Sequence, residues 1–255
     1  MKMKIKLIRH ATMRVTVGGA NILVDPMLSP AGAMGPVADS PRQRPNPLVP
    51  LPVPAESLLN VDAVLLTHTH RDHFDDAAAK MLPKSIPVLC QPADGEKIAS
   101  LGFTRVLPVD SALTWRELTV IRTGGQHGSG EIGRKMGAVS GYVLQHRGES
   151  LLYIAGDTIW CREVSEALDR YSPKVAVLYA GAARFLTGGP IIMDAGDVVK
   201  VCRQAAGTKV VAVHLEAFNH CLLTRNDLRR RLETENLGER VLIPGDGEEL
   251  IFQPE

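Results

Sequence analysis

The sequence predicts a single α/β domain. The chain of 255 residues is long enough for one large hydrophobic core and short for two, and 45% of it is hydrophobic. Apolar, β-branched runs such as Val61-Asp62-Ala63-Val64-Leu65-Leu66 and Lys209-Val210-Val211-Ala212-Val213 alternate with segments of helical period. Nothing repeats along the chain at the spacing of a solenoid or propeller.

The first elements are strands. Residues 3–9 alternate polar and apolar side chains, Val15-Thr16-Val17 follows, and Gly18-Gly19 turns the chain into Ile22-Leu23-Val24, which predicts antiparallel strands joined by tight turns. Asp25-Pro26 closes this unit. His10 sits between two strands, where it can face the interior or the solvent, and it is read as a non-ligand. Residues 27–54 then break every period. Pro30, Pro36, Pro41, Pro45, Pro47, Pro50, Pro52 and Pro54 exclude regular helix and discourage a central strand, so the segment reads as an extended loop inserted in the domain. Such a loop serves as a lid or binding loop, as a contact in a homo-oligomer, or is a mobile surface segment.

Residues 61–66 form a buried strand, followed by a helix at 75–81, a strand at 88–89, a helix at 92–101 with proline in its first turn and a strand at 104–107. The texture then changes. Residues 113–123, 137–146 and 150–154 are strand-rich with turn signals such as Arg147-Gly148, predicting a second, largely antiparallel sheet in which His146 is an exposed hairpin residue. Alternation returns with helix 160–170, strand 175–179, helix 195–206 capped by Asp194, strand 210–213 and helix 225–233. A last strand pair, 241–243 and 249–252, is turned by Gly245-Asp246-Gly247.

Charge narrows the partners. Lys plus Arg number 29 against 28 Asp plus Glu, a formal charge of +1, so no global field draws the chain to nucleic acid or an anionic membrane. There is no basic stretch followed by an apolar signal region, and no apolar run of membrane-spanning length, so a soluble, cytoplasmic protein is expected. Cys90, Cys161, Cys202 and Cys221 are widely spaced with no CxxC pair, which predicts reduced thiols. Cys221 lacks an activating neighbour and is not read as a nucleophile.

The chemistry concentrates in Thr67-His68-Thr69-His70-Arg71-Asp72-His73, directly behind the buried strand at 61–66. Polar residues at the C-terminal end of such a strand lie where open α/β sheets place their ligands. Neutral imidazole and carboxylate oxygen are the donors that zinc, iron and manganese accept. From extended backbone, residues two apart point the same way, so His68 and His70 can grip one ion while Asp72 and His73 reach a second.

This HxHxDH run after a buried strand resembles the signature of the metallo-β-lactamase superfamily. The resemblance implies a four-layer αββα sandwich and further ligands in a fixed order. His127 in Gly124-Gly125-Gln126-His127-Gly128, Asp157 in Ala155-Gly156-Asp157 and His214 at the end of strand 210–213 match those places. By the same resemblance, His68, His70 and His127 hold metal one; Asp72, His73 and His214 hold metal two; Asp157 bridges. Two divalent ions are thereby implied, zinc first, with manganese and iron as alternatives. A metal-bridging hydroxide would attack the substrate, with Asp72 orienting it and no Ser or Cys nucleophile. The proton for the leaving group would come from Asp72, a water or His220. Asp25 is either a support for the site or an ordinary turn former.

Within the superfamily, the Gly188-Gly189 and Met193-Asp194 segment and the closing Gly-Asp-Gly-Glu-Glu turn look most like the group of L-ascorbate-6-phosphate lactonase. That similarity implies a hydrolase for a small lactone or phosphoester, and Arg184, Arg42 and Arg44 are candidate anchors for an anionic substrate. There is no room for the helical substrate domain of glyoxalase II. Fold does not decide substrate, and a metal-binding interaction or sensing module without turnover is the alternative.

Overall fold

A computed structural model describes residues 2–253. Two seven-stranded sheets face each other, and helices cover both outer faces. This is the expected four-layer αββα sandwich.

In the first sheet, β1 (Met3–Arg9), β2 (Thr12–Val17) and β3 (Ala20–Val24) form the expected antiparallel meander. The strands β4 (Ala63–Leu65), β5 (Val88–Cys90) and β6 (Val106–Pro108) continue it in parallel. Alternation explains the packing of this sheet: Met3, Ile5 and Leu7 of β1 point into the space between the sheets, with Lys4 and Lys6 between them less buried. The helices α1 (Asp76–Met81) and α2 (Gly95–Ser100) cover the other face, where Val64, Val88, Ala78 and Ile98 share one core cluster.

The second sheet is built from β7 (Ala112–Trp115), β8 (Leu118–Thr123), β9 (Gly141–Gln145), β10 (Leu152–Ile154), β11 (Val175–Tyr179), β12 (Lys209–Val213) and β13 (Val241–Leu242). Every residue of β11 is buried, as a strand sandwiched between the first sheet and a helical layer requires. Three helices, α4 (Arg162–Tyr171), α5 (Ala195–Gln204) and α6 (Arg225–Thr234), make that layer. A short α3 (Gly130–Met136) follows β8, in a stretch whose glycines carry no helical signal.

Three expectations need correction. The second sheet is mixed: β7 to β10 pair antiparallel, but β10 to β13 run parallel because a helix intervenes before each new strand. The last two strands are not a hairpin. The strand β13 pairs with β12, whereas β14 (Glu249–Phe252) pairs with β1 in the other sheet. The turn between them is seated by Arg225, which reaches Asp246 at 2.6 Å and the carbonyl of Pro244 at 2.9 Å, and by Gly247 N–H on the carbonyl of Leu7 at 2.8 Å. Finally, the His146 side chain is only 12% exposed. It lies on Gly18, whose missing Cβ makes the space: a Cβ there would stand 2.5 Å from the imidazole.

The Pro-rich segment is fastened rather than loose. The fully buried Arg9 donates to the carbonyls of Met27, Ser29 and Val49. Asp75, the N-cap of α1, also accepts from Ser29 N–H at 2.7 Å. Among the described residues, no helix is long and apolar enough to cross a membrane. Asp194 caps α5 through Asp197 N–H, as expected.

Candidate metal centre and its cleft

Every residue of the candidate centre stands just beyond the C-terminal end of a strand or on a loop facing those ends. His10 follows β1, Asp25 follows β3, the His68–His73 run follows β4, Asp157 follows β10 and His214 follows β12. Both sheets therefore deliver polar side chains to one rim of the sandwich. Three of these residues leave their strands in the left-handed region, with φ of 61° at His10, 44° at Asp25 and 65° at His214. His and Asp tolerate that region better than most side chains, yet each such residue still costs about 1 kcal/mol or more. A glycine, Gly156, makes the turn into Asp157, where a Cβ would meet the carbonyl of Ser140 at 2.6 Å.

The seven expected side chains converge. One group of ligand atoms comes from His68, His70 and His127, another from Asp72, His73 and His214 together with His10, and a third from His68, His73 and Asp157; within each group the atoms lie within 4.8 Å of one another. His68 Nε2 is 2.9 Å from His70 Nδ1, and His214 Nε2 is 3.2 Å from His73 Nε2. Asp157 lies between the groups, 3.2 Å from His73, 3.4 Å from His214 and 3.5 Å from His127.

These residues fit a pair of cations. Two polar atoms at the middle of the centre, His127 Nε2 and Asp157 Oδ1, are buried without a hydrogen-bond partner. Five imidazoles and two carboxylates are the mixed nitrogen and oxygen set that zinc, manganese and iron accept. The charges tell the same story. Burial alone would lower the pKa of His73, but Asp157, Asp72 and Asp25 hold it well above the usual imidazole range. His214 is likewise carried up to about 10, chiefly by Asp157 against the opposing effect of burial. Asp72 and Asp157, despite burial, are kept well below the carboxylate range, foremost by His73. His68 and His127 are lowered, mainly by burial.

Behind the ring nitrogens stands a layer of partners. The Asp25 carboxylate is buried and accepts from His73 Nδ1 at 2.9 Å, Tyr179 O–H at 2.9 Å, Thr67 O–H at 2.7 Å and Thr67 N–H at 2.8 Å. It is a support for the site and not merely a turn former. His127 Nδ1 donates to the carbonyl of Ile191 at 2.8 Å, and His68 Nδ1 meets Thr67 Oγ1 at 3.2 Å. Cys221 Sγ lies 3.5 Å from His214 Nδ1, and burial pushes its thiol up, away from nucleophile character.

Sequence reasoning missed the orientation of His10. Its ring is fully buried, 3.3 Å from Asp72 Oδ2, and its centroid lies 3.6 Å from that of the His214 ring, tilted by 40°. The available signal was its place one residue past a strand, the same place that His214 occupies in the other sheet.

A cleft of about 220 Å³ opens onto this centre. Its walls are Val37 from the Pro-rich segment, Met136 from α3, and Phe185, Ile191 and Phe218. His70, Asp72, His127 and Asp157 form the polar end, with His220 and Arg71 beside them. His220 Nδ1 is buried with no partner, and burial pushes the imidazole down to about 4. The proposed anchors lie elsewhere. Arg42 and Arg44 are exposed, Arg184 is half-buried, and none of the three lines the cleft. Arg184 and Arg42 meet the site's surroundings through their backbone, Arg184 N–H donating to the carbonyl of His220 and the Arg42 carbonyl accepting from Asn219.

The comparisons with known proteins agree with this arrangement. A model of the beta-lactamase superfamily domain matches residues 20–215. Over 254 residues the chain is 36% identical to the UPF0173 protein YddR of Bacillus subtilis (strain 168), covering 98% of this chain and 100% of YddR. Among solved structures it is similar to an isothiocyanate hydrolase from Delia radicum gut bacteria, at 39% identity and a TM-score of 0.94 over 98% of this chain and 99% of the other. It is similar too to a possible metal-dependent hydrolase from Veillonella parvula DSM 2008, at 33% identity and a TM-score of 0.95 over 98% and 99%.

Proposed function

We propose, since the chain belongs to the beta-lactamase superfamily and within it to the UPF0173 metal-dependent hydrolases, that it hydrolyses a small, uncharged electrophile with an apolar tail, using two divalent ions. The observation that carries this reading is the cleft itself, apolar along its walls and ending on Asp72, Asp157, His70 and His127. His68, His70 and His127 would hold one ion, and Asp72, His73 and His214 the other, with Asp157 shared. When bound, such a pair of ions lowers the pKa of water to about 7 and polarises the electrophile.

The chain's own residues do the rest. Asp72 stays ionised because His73 and His10 outweigh the effect of burial, so its cleft-facing carboxylate can accept a hydrogen bond from the attacking water and orient it. Phe185, Phe218, Ile191 and Val37 would enclose the tail and exclude bulk water. His220, neutral because burial lowers it, would donate or accept a hydrogen bond at the leaving heteroatom rather than act as an imidazolium acid.

An isothiocyanate meets this description, and one of the similar structures is named for that activity. Water added to the central carbon of R–N=C=S leaves a thiocarbamic acid, which divides into an amine and carbonyl sulfide. A lactone, uncharged and compact, meets it too. A phosphoester is disfavoured: the sole arginine lining the cleft among the described residues is the exposed Arg71, which leans toward Asp76 at 3.4 Å. The test is turnover by metal-loaded protein of benzyl isothiocyanate, γ-nonalactone and bis(p-nitrophenyl) phosphate, with Asp72→Asn as control. One of the two uncharged substrates should be turned over well above the phosphodiester, and Asp72→Asn should abolish it. Preference for the phosphodiester, or full activity without the Asp72 carboxylate, would overturn the proposal.

A further inference from the structure

His10 places Nε2 among the same atoms as Asp72, His73 and His214, so by distance alone it qualifies as a fourth ligand of the second ion. The surroundings of its other nitrogen decide differently. A metal-bound imidazole nearly always donates its remaining N–H to a fixed acceptor, and that donor is what sets its tautomer. His73 has Asp25 behind it, His127 the carbonyl of Ile191, His68 the hydroxyl of Thr67 and His214 the sulfur of Cys221. His10 has nothing: Nδ1 is buried with no partner. If Nε2 gave its lone pair to a metal, Nδ1 would have to carry the proton and would become a buried donor without an acceptor, at a cost of about 1–3 kcal/mol.

The opposite tautomer removes that difficulty. An ionised carboxylate only accepts, so the 3.3 Å contact between His10 Nε2 and Asp72 Oδ2 places the proton on Nε2 and leaves a lone pair on Nδ1. The rest of His10 is tied to the second sheet. Its carbonyl accepts from His214 N–H at 2.9 Å, and its ring packs between His214, at 3.6 Å, and Phe218, at 4.8 Å. One residue thus spans from β1 to the end of β12 and holds both a carboxylate and an imidazole of the same metal group. Resting on the two-ion reading above, we infer that His10 is a positioning residue that donates to Asp72 and stands outside the metal coordination sphere.

The test compares His10→Gln with His10→Ala. A glutamine amide can donate to Asp72 from a similar place but cannot replace an imidazole as a nitrogen ligand. Folding is checked first by circular dichroism, and the glutamine variant keeps the test open if the alanine variant fails to fold. Titration of Co2+ against a competing chelator should give the weaker-bound ion about ten- to a hundredfold lower affinity in His10→Ala and near wild-type affinity in His10→Gln. The visible bands of bound Co2+ should keep their positions in both variants, because no nitrogen leaves the ion. Glutamine as damaging as alanine, or bands displaced in both variants, would make His10 a ligand and overturn the inference. Wild-type protein that takes up no second equivalent of Co2+ would instead sink the two-ion reading, and this inference with it.

Discussion

The Asp25 carboxylate receives Nδ1 of His73 at 2.9 Å, and the same oxygen is held by the hydroxyls of Thr67 and Tyr179. The ring of His73 is thereby fixed with Nε2 toward Asp157, from a residue 48 positions earlier in the chain. Asp25→Asn keeps the size of the side chain but replaces one acceptor oxygen with a donor. Metal affinity should fall by about ten- to a hundredfold, as for other carboxylate partners of ligating histidines. Chelator competition measures it. Unchanged affinity would remove Asp25 from the site's support.

Metal uptake should release protons. In the metal-free protein the carboxylates carry His73 well above the imidazole range and His214 to about 10, so this pair of rings carries positive charge at neutral pH. Ligation needs the neutral ring, whereas Asp72 and Asp157 are already ionised. Binding at pH 7 should therefore expel protons, and affinity should rise as the pH is raised above 7. Calorimetry of zinc binding in buffers of differing ionisation enthalpy counts them. A buffer-independent heat would contradict the assignment.

Asn219 joins the Pro-rich segment to the wall of the cleft. Its side chain accepts from Val37 N–H at 3.0 Å and from the Asn46 amide at 2.7 Å, and it donates to Ser40 Oγ at 2.6 Å and to the carbonyl of Arg42. Its neighbours Phe218 and His220 line the cleft, as does Val37. Asn219→Ala strands several of these buried groups, each at about 1–3 kcal/mol. The melting temperature should drop and KM should rise more than kcat falls. A variant with unaltered KM would show that Val37 holds its place without the clasp.

His220 should leave no trace in the pH profile near its ordinary range. Burial lowers it to about 4, so it is neutral on both sides of pH 6.5 and only becomes charged well below that. His220→Ala should reduce kcat/KM by about 5- to 150-fold, the worth of one hydrogen bond of about 1–3 kcal/mol, with metal content unchanged. A rate limb near pH 6.5 that vanishes in this variant would contradict the neutral role.

Much of the centre was legible because its residues are dense or stand at strand ends. His68, His70, Asp72 and His73 occur within six positions behind one apolar run, and His127, Asp157 and His214 each sit where a strand or glycine loop stops. Order and setting were sufficient to join them. What remained hidden depends on partners distant in sequence. The direction of His10 is set by a left-handed residue and by His214, and neither alternation nor spacing reports such a bend. The positive charge of Arg42, Arg44 and Arg184 was visible, but where their loops carry it was not; the cleft they were expected to serve is walled instead by Val37, Phe185 and Phe218. His146 reads as a hairpin residue until Gly18, in another strand pair, is seen to accommodate its ring. The helix α3 was missed because its glycines, Gly130 and Gly133, disfavour helix on propensity alone. Gly133 is needed nonetheless, since a Cβ there would lie 2.5 Å from the carbonyl of Gly128.

Anomalous diffraction at the zinc edge from crystals of zinc-loaded protein tests the central claim most directly. Two peaks about 3.5–4 Å apart should appear, one against His68, His70 and His127 and the other against Asp72, His73 and His214, with Asp157 between them. A single peak, or a pair whose neighbours exclude His127 and His214, would contradict the two-ion centre.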